Sequence, residues 1–428
     1  MSVKHIVSNY NSLISTPLRR VALDIFEAGM TAVSTETAIR RHVAVNGGNL
    51  RVGKKVYDLE NYEKIFVIGC GKASVETARV LEKMLSKRIT GGVVIDVCSA
   101  KLQHIKSIAG THPFPSARNL KATAEIVALL KQTGPKDLVI TIVSGGGSAL
   151  LFWPYSIRLE NFVCVTKNLM RAGATIKEMN TVRKHLSALQ GGQLVKMAHS
   201  ATIVGLIFSD VPGDDIGMIA SGPTVLDSTT AKDAKRILIK YGVAKTCKIV
   251  AGDLVETPND TGLFKKVQNV LVVNNVVAVR AMVEAARKAG FKPRVLSTAL
   301  SGEAREVGEM LVKSVKRGEA LIAAGETTVH ITGRGHGGRN YEVAMGALEK
   351  IPVNTVLLSV ASDGHDNSAA AGALTDTEVV LKAKKLRLDT KKYLAENNSF
   401  EFTKKTGSQV YTGLMNINIS DLFLVLKK

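Results

Sequence analysis

Three runs in the first half of the chain are apolar with almost no polar alternation: Ile65–Ile68, Asp137–Val143 and Ala201–Phe208. A strand that shows one face to water alternates. A strand that is apolar on both faces is covered on both, which is the condition of a parallel sheet between helices. Helical patterns at Ala73–Leu85, Asn119–Lys131, Leu159–Ala172 and Thr181–Leu189 separate these runs and a further strand at Gly92–Val97, so a doubly wound α/β sheet is predicted. The runs end at Gly69-Cys70-Gly71, Ser144-Gly145-Gly146-Gly147-Ser148 and Ser209-Asp210. In such sheets ligands bind beyond the carboxyl ends of the strands, which is where these turns fall.

A length of 428 residues predicts two or three domains. One helix is expected over Val21–Val45, ahead of the first strand. The polar, turn-rich stretch Val243–Gln268 places the boundary, giving domains 1–245 and 246–428. Beyond it a second series is predicted: strands Val270–Val273, Lys292–Ser297, Ala320–Ala324 and Thr355–Val360, helices Val276–Ala289, Glu303–Lys316 and Asn340–Lys350, and Thr328–Thr332 as a hairpin partner. The last apolar strand, Leu422–Leu426, is free to pair with either domain.

The formal charge of +20 raises nucleic acid as a partner. Lys and Arg are scattered in pairs on helical faces, and only 5% of residues are aromatic, so no nucleic-acid partner is expected. A basic surface would still steer anionic substrates. The most apolar stretch, Leu138–Trp153, is too short to span a membrane and is broken by Gly145-Gly146-Gly147. Cys70, Cys98, Cys164 and Cys247 are far apart, signal neither zinc nor a disulfide framework, and with the absence of an N-terminal apolar segment lead to an expected cytoplasmic location.

Three predicted helices begin with cations, where the macrodipole prefers anions: Lys72, the group Arg183-Lys184-His185 after Asn180, and Arg339 after Gly333-Arg334-Gly335-His336-Gly337-Gly338. Each such cation costs about 0.3–1 kcal/mol unless an anion lies between it and the helix. A polyphosphate would remove the penalty; a solvent-facing lysine or a solvated surface turn is the alternative at each. Gly69-Cys70-Gly71-Lys72 is neither a P-loop, which needs glycine at Phe66, nor a dinucleotide fingerprint, which needs glycine at Ser74, although Asp96 lies in the next strand. The turn Gly145, Gly146, Gly147 and Ser148 forms an anion nest or packs closely against its neighbours. The loop holding Gly335, Gly337 and Gly338 would admit close approach of phosphate, the alternative being a flexible tip.

Asp210, Glu326 and Asp363 each follow an apolar strand. Strand-end carboxylates facing phosphate sites suit a Mg²⁺–nucleotide complex, since magnesium takes one or two carboxylates and completes its shell with phosphate oxygens and water. A capping role at a strand-to-helix turn is the other reading. Asp214, Asp215 and Asp366 are weaker candidates in the same loops.

The segments Gly69–Ala73, Thr111-His112-Pro113, Ser144–Leu150, Asn180–Leu194, Ser209–Asp215, Ala220–Thr224, Gly333–Asn340 and Ser362-Asp363-Gly364 resemble, in order and over nearly the whole chain, the glycerate 2-kinases with a MOFRL C-terminal domain. The resemblance implies a Rossmann-like N-terminal domain, a smaller α/β C-terminal domain and an active site in the cleft between them. It implies ATP-dependent phosphorylation of D-glycerate at the C2 hydroxyl with a divalent cation. By motif position, Lys72 and Arg339 would be catalytic or substrate-binding cations, Asp210 the acidic partner and Asp363 near metal or substrate. Arg183 would bind substrate; Lys184, Glu326, Asn340 and the two glycine turns would bind nucleotide; Asp210 or Asp363 would hold the metal. The loop after Asp363 is shorter than the family pattern, and Gly413-Leu414-Met415-Asn416-Ile417-Asn418 replaces its Gly-Pro-Thr-Gly-Thr-Asn. A homo-oligomer, such as a dimer, is expected. The competing readings are an NAD(P)H-dependent hydroxypyruvate reductase and a non-catalytic sugar-phosphate binding protein.

Overall fold

The computed structural model describes residues 5–211 and 213–428. The chain forms two compact units: Ala38–Val273, and the residues up to Thr37 together with Asn274–Lys428.

In the Ala38–Val273 unit, a small antiparallel sheet of β1 (Val43–Asn46), β2 (Asn49–Val52) and β3 (Lys55–Asp58) comes first. The main sheet holds β4 (Lys64–Cys70), β5 (Gly91–Asp96), β6 (Lys106–Ala109), β7 (Asp137–Val143), β8 (Thr202–Phe208) and β9 (Val267–Val273). Its order is β6-β5-β4-β7-β8-β9, and every pairing is parallel. This is the 3-2-1-4-5-6 order of two mononucleotide-binding halves, with the direction of winding reversing between β4 and β7. All seven residues of β7 and of β8 are buried, as strands lacking alternation should be. Ile68, Val93, Ile126, Leu130, Val139 and Ile203 share one core.

In the other unit, β10 (Lys292–Leu300), β11 (Glu319–Gly325), β12 (Thr355–Ala361), β13 (Gly372–Asp376), β14 (Gln409–Val410) and β15 (Asp421–Lys427) form a mixed sheet ordered β10-β11-β15-β12-β13-β14. Only β10 and β11 are parallel. The final strand inserts between β11 and β12, placing Asp421 opposite both Gly325 and Ala361.

The division of the chain differs from the expected boundary at 245/246. β9, expected in the second series, pairs in parallel with β8 and completes the first sheet. The leading helix Pro17–Val33 belongs with the C-terminal residues instead: a Cβ on its Gly29 would lie 2.7 Å from Met282 Cγ. That helix also stops early, because Ser34 is extended, and Thr35–His42 is a separate helix. Thr328–Thr332 is no hairpin strand; Thr328 makes an isolated parallel bridge to Glu303.

The second helix of basic residues is also placed differently. It runs Ile176–Leu186, capped by Thr175 in a reciprocal capping box with Glu178. Asn180 is therefore mid-helix, and Arg183, Lys184 and His185 occupy the last turn, where the dipole favours cations. Cys164 and Cys247 form a disulfide, which their spacing does not signal, while Cys70 and Cys98 are free. No helix among the described residues is long and apolar enough to cross a membrane.

Candidate active site

The carboxyl ends of β4 and β7 meet where the winding of the first sheet reverses, which opens a crevice in any sheet of this order. Gly71 follows β4 with φ +116°, and a Cβ there would stand 2.2 Å from Ser144 Oγ and 2.4 Å from Ser144 O. Only glycine lets the two turns cross. The crossing is closed by Lys72 N donating to Gly145 O at 3.0 Å and Ala73 N to Ser144 Oγ at 3.1 Å. Gly146 is left-handed, at φ +82°, and no described group accepts from the amides of Gly145 or Gly146. Gly147 is a packing glycine, since its Cβ would lie 2.6 Å from Ala220 Cβ.

Side chains from four segments gather around this turn. A Cβ on Gly146 would be 3.6 Å from Lys72 Cγ and 3.1 Å from Cδ2 of His112, which lies in the loop after β6. A Cβ on Gly145 would be 2.2 Å from Asp210 Oδ2, beyond the end of β8. Arg183 arrives from the helix Ile176–Leu186, which a buried polar chain fixes to the turn. Ser221 Oγ donates to Asn180 Oδ1 at 2.9 Å and is 2.9 Å from Ser148 Oγ, and Asn180 Nδ2 donates to Met218 O. Ala220 and Ser221 hold φ values of 49° and 58° to make this connection, a strained backbone of the kind found at functional sites.

The charge balance of this cluster is one-sided. Among the described residues neither Lys72 nor Arg183 has an ion pair or a side-chain hydrogen bond. Desolvation, with no compensating anion, lowers Arg183 to about 10. Close packing, then the charges of Lys72 and Arg183, hold the His112 imidazole below its ordinary value, so it is neutral at pH 7. Lys72 and His112 lie against Gly146, Arg183 stands near enough to His112 to lower it, and Asp210 lies against Gly145. His112 lies in a loop and not at a predicted helix start, so the sequence marks it only through the motif Thr111-His112-Pro113.

Lys184 is elsewhere. It is buried and bonds Asp227 Oδ1 at 2.9 Å, while His185 sits fully buried against Val255 O and Thr229. Lys184 is thus a structural cation, unavailable to a nucleotide.

In the other unit Arg339 does open a helix, Arg339–Gly346, but the anion that offsets it belongs to the protein. Asp421, fully buried, takes Arg339 Nε at 2.6 Å and Nη2 at 3.0 Å, and Glu326 takes Nη1. Asp366 Oδ2 accepts from Asn340 N at 2.9 Å and Tyr341 N at 3.2 Å, capping the helix. Burial, with Arg339 opposing it, pushes Asp421 up to about 6; burial and the neighbouring Asp421 push Asp366 up to about 7. Asn340 is wholly buried and accepts from Ser359 Oγ, so it too is structural.

The glycine loop before Arg339 is explained by packing on Glu396–Ser399. Gly333, Gly335, Gly337 and Gly338 leave no room for a Cβ against Glu396, Asn398, Ser399 and Asp366. The amides of Gly333, Gly335, His336 and Gly338 donate to Asn397, Glu396, Asn398 and Ser399. Those four amides are not open to phosphate. The loop, Arg339, Glu326 and Asp363 still border a cavity of about 670 Å³, large enough for a nucleotide. Asp363 Oδ1 accepts from His365 N at 3.1 Å.

Among the described residues no three His, Cys, Asp or Glu side chains gather as a metal cage. Magnesium on a polyphosphate does not need one, and Asp210, its carboxylate against the Gly145 turn, fits the one-carboxylate mode.

Fold and site define an α/β protein that gathers basic side chains and a carboxylate at the reversal point of a parallel sheet. Residues 21–254 match DUF4147, a domain of unknown function, and residues 319–421 match the MOFRL family. A glycerate 2-kinase of Pyrococcus horikoshii is 34% identical, over 97% of this chain and 98% of the relative. A solved structure of glycerate kinase from Thermotoga maritima superposes with a TM-score of 0.83 at 31% identity, covering 96% of this chain and 99% of that one. A protein of Agrobacterium vitis provisionally named a hydroxypyruvate reductase is also 34% identical, over 84% of this chain and 86% of its own. The chain belongs to the MOFRL-domain glycerate kinase family.

Proposed function

We propose that the protein is a glycerate 2-kinase, transferring the γ-phosphoryl group of ATP to the C2 hydroxyl of D-glycerate. The observation that carries this reading is the cluster of unpartnered Lys72 and Arg183 with His112 at the Gly145-Gly146 turn, in a chain similar to glycerate kinases along nearly its whole length. Phosphoryl transfer demands alignment and neutralisation of charge spread over three oxygens, which cations and open amides supply. Lys72 and Arg183 would hold the anionic groups, with the amides of Gly145 and Gly146 and the hydroxyl of Ser148 on the polyphosphate. Asp210 would hold Mg²⁺, which when bound neutralises phosphate oxygens, and would accept the hydroxyl proton. Arg339, Asp363 and Glu326 are assigned to substrate, metal and nucleotide by their motif positions.

The reductase reading is disfavoured by Asp96, the residue that would bind a nicotinamide cofactor's ribose. Its carboxylate is buried and accepts from Val75 N at 3.1 Å and Val97 N at 2.6 Å, and buried Ser74 stands where the third glycine is needed. The proposal includes a cytoplasmic homo-oligomer acting on small molecules alone; size-exclusion chromatography tests the assembly, and the disulfide is the observation set against the location. Phosphorus NMR of the product formed from D-glycerate, ATP and Mg²⁺ tests the activity. A 2-phosphoglycerate signal is expected; oxidation of NADH by hydroxypyruvate without ATP consumption would overturn the reading.

A further inference from the structure

The loop that carries His112 is anchored at the residue before it. Asn119, wholly buried, accepts from Thr111 N at 2.9 Å and donates to Thr111 O and Ala149 O at 2.9 Å each. One side chain therefore ties the His112 loop to the segment that follows the Gly145-Gly146 turn. Thr111 Oγ1 adds a bond to Phe114 O. The ring so placed lies over Gly146, where a Cβ would fall 3.1 Å from Cδ2 and 3.4 Å from Nε2. The residue is exposed, and among the described residues neither ring nitrogen has a hydrogen-bond partner.

The imidazole lies against the same turn as Lys72 and near enough to Arg183 to be lowered by it, so an anionic group bound there would meet a ring nitrogen beside two cations. We propose that His112 is a substrate-binding residue of the active site, hydrogen-bonding an anionic oxygen of the phosphoryl donor or of the glycerate carboxylate alongside Lys72 and Arg183. This rests on the glycerate kinase reading for the identity of the ligands. The charged groups facing the ring are Lys72 and Arg183, with Asp210 on the far side of the glycine turn. An anion offsets the two cations, so the imidazole gains basicity on binding and affinity strengthens as pH falls through its titration range.

Separate calorimetric titrations with ATP–Mg²⁺ and with D-glycerate, at pH 6 and pH 8, test this for the wild type, His112→Ala and His112→Gln. His112→Ala is expected to weaken one ligand about tenfold or more, the scale of a lost hydrogen bond to a charged group. Which ligand weakens identifies the oxygen. Gln, which can still donate, is expected to recover part of the loss but not the tighter binding at pH 6. Affinities within twofold of wild type for both ligands, or an unchanged pH dependence in the Gln variant, would overturn the assignment. Should His112→Ala melt early, the Gln variant carries the comparison. A wild type that binds both ligands without forming 2-phosphoglycerate would remove the kinase reading and leave the binding result standing.

Discussion

Asp421→Asn isolates the contact that fixes Arg339. The wild-type carboxylate is fully buried and grips the guanidinium through two bonds, while Glu326 holds the remaining nitrogen from an exposed position. Removing one partner of a buried ion pair costs about 3–5 kcal/mol. Here the stranded arginine keeps Glu326, has a side chain 31% exposed, and still meets the Asn oxygen, so about 2–3 kcal/mol is expected. At about 2–4 °C per kcal/mol for a unit of this size, the melting temperature falls by roughly 4–12 °C. Glu326→Gln, which touches only an exposed pair, should cost about 1 kcal/mol at most. Thermal melts by circular dichroism compare the two, and the Asp421 variant should also lose turnover at temperatures where it is fully folded. Equal melting temperatures for the two variants would show that burial does not set the strength of this grip.

Asp366 gives a pH-dependent outcome. Its folded value of about 7 lies above its ordinary 3.8, so the folded state holds the proton through that interval, and the stability it contributes is present below pH 4 and lost as pH rises through 7. Asp366→Asn keeps an oxygen for the Asn340 and Tyr341 amides and should melt above wild type at pH 8 but near it at pH 5; lower stability at pH 8 would refute the sign. Gly71→Ala forces a Cβ to 2.2 Å from Ser144 Oγ at positive φ and should lower the urea midpoint by the equivalent of about 2 kcal/mol or more with loss of activity, whereas Gly134→Ala, with open space around it, should do neither. Reduction of Cys164–Cys247, which closes a separation of 83 residues, should cost about 2–4 kcal/mol in a denaturant titration, and Cys164→Ser should show the same midpoint with and without dithiothreitol.

The parallel sheet was legible because β7 and β8 are apolar on both faces and are separated by helical segments, although β12, equally buried, pairs only antiparallel. The crossing of turns at Gly71 and Ser144 was legible as two glycine motifs after strands, though not as one site. What escaped the sequence was long-range pairing. Nothing local distinguishes β9, which completes the first sheet, from a strand opening a second series, and nothing in Pro17–Val33 names the unit it packs on. The helix of basic residues was misplaced for a local reason: Thr175 and Glu178 form a readable capping box five residues before Asn180, which offers an equally acceptable cap by type. The Gly333–Gly338 loop shows the limit of composition. Glycines that admit phosphate and glycines that admit a neighbouring strand of protein have the same sequence, and here Glu396–Ser399 occupies the space.

The cations sort themselves by what opposes them. Each was singled out by the same property, a positive group near a helix start, yet the structure divides them into two kinds. Lys184 and Arg339 are answered by carboxylates less exposed than themselves, Asp227 and Asp421. An arginine gripped in this way is oriented before any ligand arrives, but its charge is already largely offset, so its pull on a further anion is weakened. Lys72 and Arg183 have no such answer and depress the neighbouring His112 instead, which is an unfavourable arrangement for the protein alone. A fold tolerates such an arrangement where a ligand relieves it, so on the proposed function the transferring phosphate would lie with the group that the protein leaves uncompensated. On the proposed function Arg339 would act by direction more than by charge: its planar fork, clamped by Asp421, presents Nη1 in a fixed place, and Glu326 occupies that place as an anionic ligand's oxygen would.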